Sequence, residues 1–320
     1  MMGSSQFQNR RVKRHIHCCQ LTARSKPTLY PMQNPPKKTL YKSASQLLGE
    51  AIRNADTART LQLLDERERW ARSNIQSLLT QVDFLRRALS ERTEGGATPE
   101  PLVPKKVEEL FAVFNSTSAQ IRDEVVRNEA DSALRLLDER EKWARANIHR
   151  LVLEVDTLQR ELAGRAGEEA IGEVQALFSR QRVRKLFARP DAPVDERLNK
   201  RVEVWTMNHN VDVNVEEGPG QYKLTYFCPT GGMLRASGKP YGRTRDPHPW
   251  SQGKKDVCYF CTHCTTAFEL ESIAEYGVPD WITERLENGL CSQTIYKRPE
   301  HIPQEIYQRI GMSKPAPAKK

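Results

Sequence analysis

The chain has 320 residues, of which 38% are hydrophobic and 28% charged, and its formal net charge is +9. That length holds two or three domains with sizeable cores. No run approaches the roughly 18 apolar residues that a membrane-spanning helix requires, which excludes an integral helical membrane protein.

The positive charge is unevenly placed. Residues 1–42 contain Arg10, Arg11, Lys13, Arg14, Arg24, Lys26, Lys37, Lys38 and Lys42 with no acid before Glu50, and these bases equal the whole formal excess. A tail rich in Ser, Gln, Arg and Pro with no apolar segment does not read as a secretory signal. Basic, hydroxylated and acid-free, it has the composition of a mitochondrial transit peptide, and a disordered basic arm contacting RNA has the same one. Residues 1–42 are therefore expected to be a disordered tail, with the mitochondrial matrix as the compartment and the cytoplasm as its alternative.

Order is expected from Ser43, an N-cap residue type ahead of the stripe Leu47, Leu48, Ala51, Ile52, Ala55 and Ala58. That stripe loses phase with the next segment, so a break is predicted near Asp56–Thr60. The next segment is duplicated: LLDERERWARSNIQSLLTQVDFLRRAL runs from Leu63 to Leu89, and LLDEREKWARANIHRLVLEVDTLQREL from Leu136 to Leu162. Leu61, Leu64, Glu68, Ala71, Ile75, Leu78, Val82, Leu85 and Leu89 step by three and four, and Leu134, Leu137, Glu141, Ala144, Ile148, Leu151, Val155, Leu158 and Leu162 repeat the pattern. Good helix formers with a sustained heptad seam and no internal proline predict a coiled-coil-type helix in each copy. The Gly- and Pro-rich stretch 93–106 between them is a loop. It lets the seams fold back as an antiparallel helical hairpin within one chain, with pairing between chains as the alternative. The shared DERE face is expected to be solvated and salt-bridged. Residues 43–165 form a duplicated helical region, which would hold protein neighbours.

Residues 166–200 read as a basic helix and linker. Glu168, Glu169 and Glu173 open it, and Arg180, Arg182, Arg184, Lys185 and Arg189 close it before Pro190, as the helix dipole prefers. The surplus at Arg182, Arg184 and Lys185 also suits a phosphate backbone.

From Arg201 the apolar period shortens to two. Val202, Val204 and Thr206, then Val211, Val213 and Val215, then QYKLTYF predict three antiparallel strands, turning at Asn208–Asn210 and at Glu217–Gly220. Short helices are expected at Phe268–Tyr276, Val278–Leu290 and Pro303–Ile310. Residues 201–310 make the second ordered domain, and 311–320 a disordered tail.

The recognisable chemistry lies in that domain. Cys228 opens CPTGG, and CYFCTHC supplies Cys258, Cys261 and Cys264. Cys-x-x-Cys brings two sulfurs onto one ion, and thiolates in Gly- and Pro-rich turns suit structural zinc, so these four are the expected ligands of a Zn²⁺ in a zinc-ribbon-like domain. His263 can replace one of them, as can His248 or His209. Reduced cysteines in a small core, or a redox pair, are the alternatives. Four thiolates would close the coordination sphere, and no acid/base pair stands nearby, which argues against a catalytic metal. Cys291 fits no ligand spacing.

Between the cysteines, residues 232–256 carry Arg235, Lys239, Arg243, Arg245, Lys254 and Lys255 around Trp250. Flexible bases reach phosphates and aromatics stack on unpaired bases, so this loop is expected to contact RNA. The fold class that follows is α+β: a duplicated long-helix hairpin, then a small antiparallel β domain with short C-terminal helices. With no phosphate-binding Gly loop or nucleophile elbow, the expected function is non-enzymatic. The chain would be a structural or assembly component of a mitochondrial ribonucleoprotein, either mitoribosome or RNA-processing complex. A coiled-coil scaffold with a protein-binding zinc domain is the alternative.

Overall fold

The structure, a computed structural model, describes residues 38–92, 107–181 and 189–315. The tail before residue 38, the loop 93–106 and the basic residues Arg182, Arg184 and Lys185 lie outside the described residues. The fold is α+β, with helices packed around a five-stranded antiparallel sheet.

The first described element is a strand, β1 (Lys38–Tyr41), in a segment expected to be part of the tail. It pairs antiparallel with β2 (Val213–Glu217), matching Thr39 to Val215 and Tyr41 to Val213. Its partner lies far along the chain, so no local pattern announces it. Helix α1 (Ala44–Arg53) follows Ser43, whose N–H donates to Asp212 Oδ1 at 2.8 Å. The expected break is sharp: Ala55 adopts φ 52, and Asp56 Oδ1 accepts the Arg59 N–H at 3.0 Å to start α2 (Thr57–Arg92).

The two repeats lie on α2 and α4 (Ala130–Ala166), with α3 (Val107–Val126) between them. Arg67 meets Glu141 and Arg86 meets Glu154, both at 2.8 Å, so both helices advance in the same direction. Helix α3 runs the other way, since Arg122 reaches Asp65 while Arg72 reaches Glu108. The copies therefore pack on each other in parallel rather than as an antiparallel hairpin, because α3 supplies the return path. The seam is buried as its period predicts: Ala71, Ile75, Leu78, Val82, Leu85 and Leu89 face Ala144, Ile148, Leu151, Val155, Leu158 and Leu162 in one core. Full burial of each such leucine or isoleucine contributes about 1.5–3 kcal/mol. Trp143 packs against Phe111 and Phe114 of α3, whereas Trp70 lies beneath the Lys200 ammonium.

The DERE face is salt-bridged, yet part of it is buried instead of solvated. Arg67, Arg140 and Glu141 are 1%, 1% and 2% exposed. Glu141 accepts from both guanidiniums, which hold its carboxyl at about 2 against the opposing effect of burial. Its counterpart Glu68 stays half-buried and pairs with Arg122 at 2.9 Å.

After α5 (Glu169–Gln181), the chain forms α6 (Val194–Glu203), which runs into a π-helical turn at Val204–Asn208 where a strand was expected. The alternating valines there were misleading. Leu198, Arg201, Val202 and Trp205 are buried at spacings of three and four, which is a helical face. The β2 hairpin with β3 (Gln221–Phe227) forms as expected. It is followed by α7 (Gly231–Ala236), α8 (Thr262–Thr265), a second π turn at Thr266–Leu270 and α9 (Glu271–Tyr276). The helix expected over Val278–Leu290 is instead β4 (Ile282–Arg285) and a turn at Asn288 and Gly289, both with positive φ. It leads into β5 (Leu290–Tyr296), and α10 (Gln304–Gln308) completes the described elements. Strand order is β1-β2-β3-β5-β4. Leu234, Trp250, Cys258, Tyr259, Phe260 and Cys261 join the repeat seam in one hydrophobic cluster, so the cysteine-bearing turns sit on the helices.

Candidate functional site: a cavity behind the repeats

Two π turns contribute to the wall of one cavity of about 80 Å³, lined also by Asn74, Leu78 and Gln81 of α2 and Phe178 of α5. Single π turns inside helices recur at functional sites, because the extra residue redirects a side chain. The first turn supplies Val204, Trp205 and Asn208, and the second supplies Phe268. Trp205 stacks on Tyr226 of β3 with centroids 3.9 Å apart, and His209 packs on its other side at 4.5 Å.

Three of the residues that line the cavity each carry a buried polar atom with no hydrogen-bond partner: Asn208 Oδ1, His209 Nδ1 and Gln293 Nε2. Trp205 Nε1–H donates to Gln293 Oε1 at 2.9 Å, which leaves the Gln293 amide nitrogen as the unpaired end. The Asn208 carbonyl accepts from Arg67 Nη1 at 3.2 Å and from Asn74 Nδ2 at 3.4 Å. Buried polar atoms are nearly always paired, and leaving one unpaired costs about 1–3 kcal/mol, so three among the residues of one cavity single it out.

The charges around the cavity are set by burial. His209 is pushed down to about 3, first by burial and then by the electrostatic influence of neighbouring His263, Arg67 and Arg201, so its imidazole is neutral at physiological pH. Arg201 is pushed down to about 9 by burial, which its partner Asp280 at 3.9 Å partly offsets, and it remains a cation. His263 Nδ1 contacts the Phe260 carbonyl at 2.6 Å, which places the proton on that nitrogen and leaves Nε2 to accept from Cys264 at 3.5 Å. Burial and the neighbouring Cys228 push the Cys264 thiol up to about 12, so it keeps its proton. Asn208, Gln293, the neutral His209 and Cys264 thus line the cavity together with Trp205, Phe260 and Phe268.

No protein-family model matches the chain, and no curated protein or solved structure is significantly similar to it.

The expected zinc ligands are arranged as pairs. Cys228 has Cys291 as its neighbour, and Cys258 has Cys261 across the Cys-x-x-Cys turn. The neighbouring Cys291 brings Cys228 down to about 5, and Cys258 brings Cys261 to about 7, while Cys258 and Cys291 are pushed well up. Among the described residues no three His, Cys, Asp or Glu side chains form a group that could hold a metal ion. Of the three histidines offered as substitutes, His263 adjoins Cys264 and lines the cavity with His209, which lies on Trp205, while His248 stacks on Trp250. Cys291, which no spacing marked, is brought to Cys228 by the β3–β5 ladder, where Tyr226 faces Cys291.

The basic loop is partly spent on the fold. Glu168, 4% exposed, accepts from Tyr259 Oη, from the Arg245 and Asp246 backbone N–H groups at 2.8 and 3.2 Å, and pairs with His248 Nε2 at 2.8 Å. Burial raises its carboxyl, but these hydrogen bonds prevail and hold it at about 2. Arg245 also pairs with Glu168, Trp250 is buried, and Arg235 donates to the Leu286 and Leu290 carbonyls. Lys239, Arg243, Lys254 and Lys255 are exposed, Arg243 over the Tyr241 ring and Lys255 at 3.5 Å from Asp246.

Asn208, Gln293, Arg201, Trp205 and Glu168 carry the sites and escaped sequence reasoning. The signal that was present is the helical spacing of Arg201 and Trp205 with Leu198; nothing local marks the other three.

Proposed function

We propose that the chain is a small-molecule-binding protein whose ligand enters the cavity between the repeat helices and the sheet. The observation that supports this is a cavity lined by Trp205, Phe260 and Phe268 together with three residues that each carry a partnerless buried atom, Asn208 Oδ1, His209 Nδ1 and Gln293 Nε2. A ligand that pairs them is compact, planar and carries a donor beside an acceptor, as a carboxamide or a small nitrogen heterocycle does. The first repeat helix serves this site through Arg67 and Asn74, which hold the Asn208 backbone carbonyl. A thermal-shift screen with benzamide, nicotinamide, pyrimidines and imidazoles tests the reading. At least one is expected to raise the melting temperature of the wild type and not of Gln293→Leu or Asn208→Leu; stabilisation that both variants retain, or none in the wild type, defeats it.

A second reading, a component of a mitochondrial ribonucleoprotein, draws on the exposed bases Lys239, Arg243, Lys254 and Lys255 of the loop. Changing the four to Ala should weaken RNA retention and flatten its salt dependence. Unchanged binding would remove this reading.

A further inference from the structure

Helix α6 and the π turn that continues it bring a charge to the cavity as well as an aromatic ring. Arg201, Trp205 and Asn208 follow one another at spacings of four and three, which puts them on one helical face, and all three line the cavity. Of the described residues that line it, Arg201 is the only Arg or Lys, and none is Asp or Glu. The Arg201 side chain is 2% exposed, and its guanidinium lies over the Trp281 ring and 5.0 Å from the centroid of Phe268, another lining residue. Asp280 Oδ2 stands 3.9 Å from Arg201 Nη2, while Oδ1 of the same carboxylate accepts from Arg197 Nε at 3.4 Å, so two guanidiniums share it. A buried cation is costly unless negative charge approaches it, and a guanidinium stacked on aromatic faces presents a planar fork that matches a carboxylate. Gln293, wholly buried on the same cavity, adds a neutral donor: Trp205 Nε1–H occupies its Oε1 at 2.9 Å and leaves Nε2 partnerless.

We propose that the ligand of this cavity is an anion, a small planar nitrogen heterocycle bearing one carboxylate, and that Arg201 selects the acid over the matching amide. The proposal rests on the ligand-binding reading of the cavity and adds the ligand's charge to it. The carboxylate accepts from the Arg201 guanidinium and from Gln293 Nε2, and the ring lies among Trp205, Phe260 and Phe268. An ionised carboxylate is an acceptor at both oxygens, whereas a carboxamide of the same outline turns an NH₂ toward one of the two donors. Hydrogen bonds between ionised groups are roughly twice as strong as those between neutral ones, so the charge of the ligand decides the preference. With Arg201 as the only Arg or Lys on the cavity, a second carboxylate on the ring has no guanidinium or ammonium there to meet it.

The test is isothermal titration calorimetry of the full chain at neutral pH with two pairs of equal outline, nicotinate against nicotinamide and picolinate against picolinamide. In at least one pair the acid is expected to bind about tenfold more tightly than its amide, or better. Arg201→Met, which keeps an apolar stem and removes the charge, should bring that ratio to about one, and Arg201→Lys should restore part of it. Arg201 packs against Trp281, so the folding of both variants is checked by circular dichroism, and the wild-type ratio decides by itself if the Met variant does not fold. Amides that bind as tightly as their acids overturn the proposal and leave the ligand-binding reading intact. An acid preference that folded Arg201→Met retains also overturns it, because the charge would then be read elsewhere on the chain. Binding by none of the four overturns it too, and the ligand-binding reading falls with it only if the screen of neutral rings fails as well.

Discussion

Arg67 of the first repeat and Glu141 of the second form a bidentate ion pair in the core, Nη2 to Oε2 at 2.8 Å and Nε to Oε1 at 3.3 Å, with both side chains 2% exposed. The remaining guanidinium nitrogen of Arg67 donates to the Met207 and Asn208 carbonyls at 3.0 and 3.2 Å. Asn210 closes the unit by donating to Glu141 at 2.9 Å. One ion pair thus ties the duplicated helices to the π turn that walls the cavity.

Removing one member of such a pair leaves buried charge uncompensated. Glu141→Ala should lower stability by about 3–5 kcal/mol in denaturant titration, because Arg67 and Arg140 both lose their counter-charge. Glu68→Ala, at the same place in the other repeat but half-buried, should cost at most about 1 kcal/mol. Equal losses would show that the asymmetry between the copies has no energetic weight.

Glu168 couples the 245–251 loop to pH. Its carboxyl titrates at about 2 in the fold against an ordinary value of 4.5. The stability it contributes is therefore complete above 4.5 and declines as the pH falls from there toward 2. Glu168→Gln should flatten that acid limb, lower stability by about 1–3 kcal/mol at neutral pH, and speed proteolysis between Arg245 and Lys255. A variant with an unchanged acid limb would assign the dependence elsewhere.

His209 acts in the same sense over a higher pH window. Held at about 3 against an ordinary 6.5, it refuses a proton that the unfolded chain accepts. Its contribution to stability is complete above 6.5 and falls as the pH drops below that value. His209→Gln should remove the part of the slope between pH 6 and about 4 that belongs to this residue, as read from denaturation midpoints at matched ionic strength.

Gly232→Ala should destabilise more than Gly231→Ala. The added carbon at 232 meets the Gly289 carbonyl at 2.1 Å, a backbone atom that cannot swing aside, whereas at 231 it meets the Cys261 side chain at 2.5 Å. Overpacking of this kind costs about 1–3 kcal/mol, and thermal melts of the two variants give the order.

Local periodicity was enough for much of the architecture. The heptad seam from Leu64 to Leu89 and its copy from Leu137 to Leu162, the break at Asp56, and the β2–β3 hairpin all follow from spacing within a few residues, where one turn or one pleat decides which side chains are buried. Beyond that range the sequence was silent or misleading. That the repeats run parallel depended on α3 supplying the return. That Glu141 is buried and Glu68 is not depended on Arg67, Arg140 and Asn210 converging on one of them. Cys291 gained its partner only through the β3–β5 register, and the cavity exists only because α2, two π turns and β5 meet. These are contacts between residues many tens of positions apart, and their energies depend on distances that no window along the chain contains.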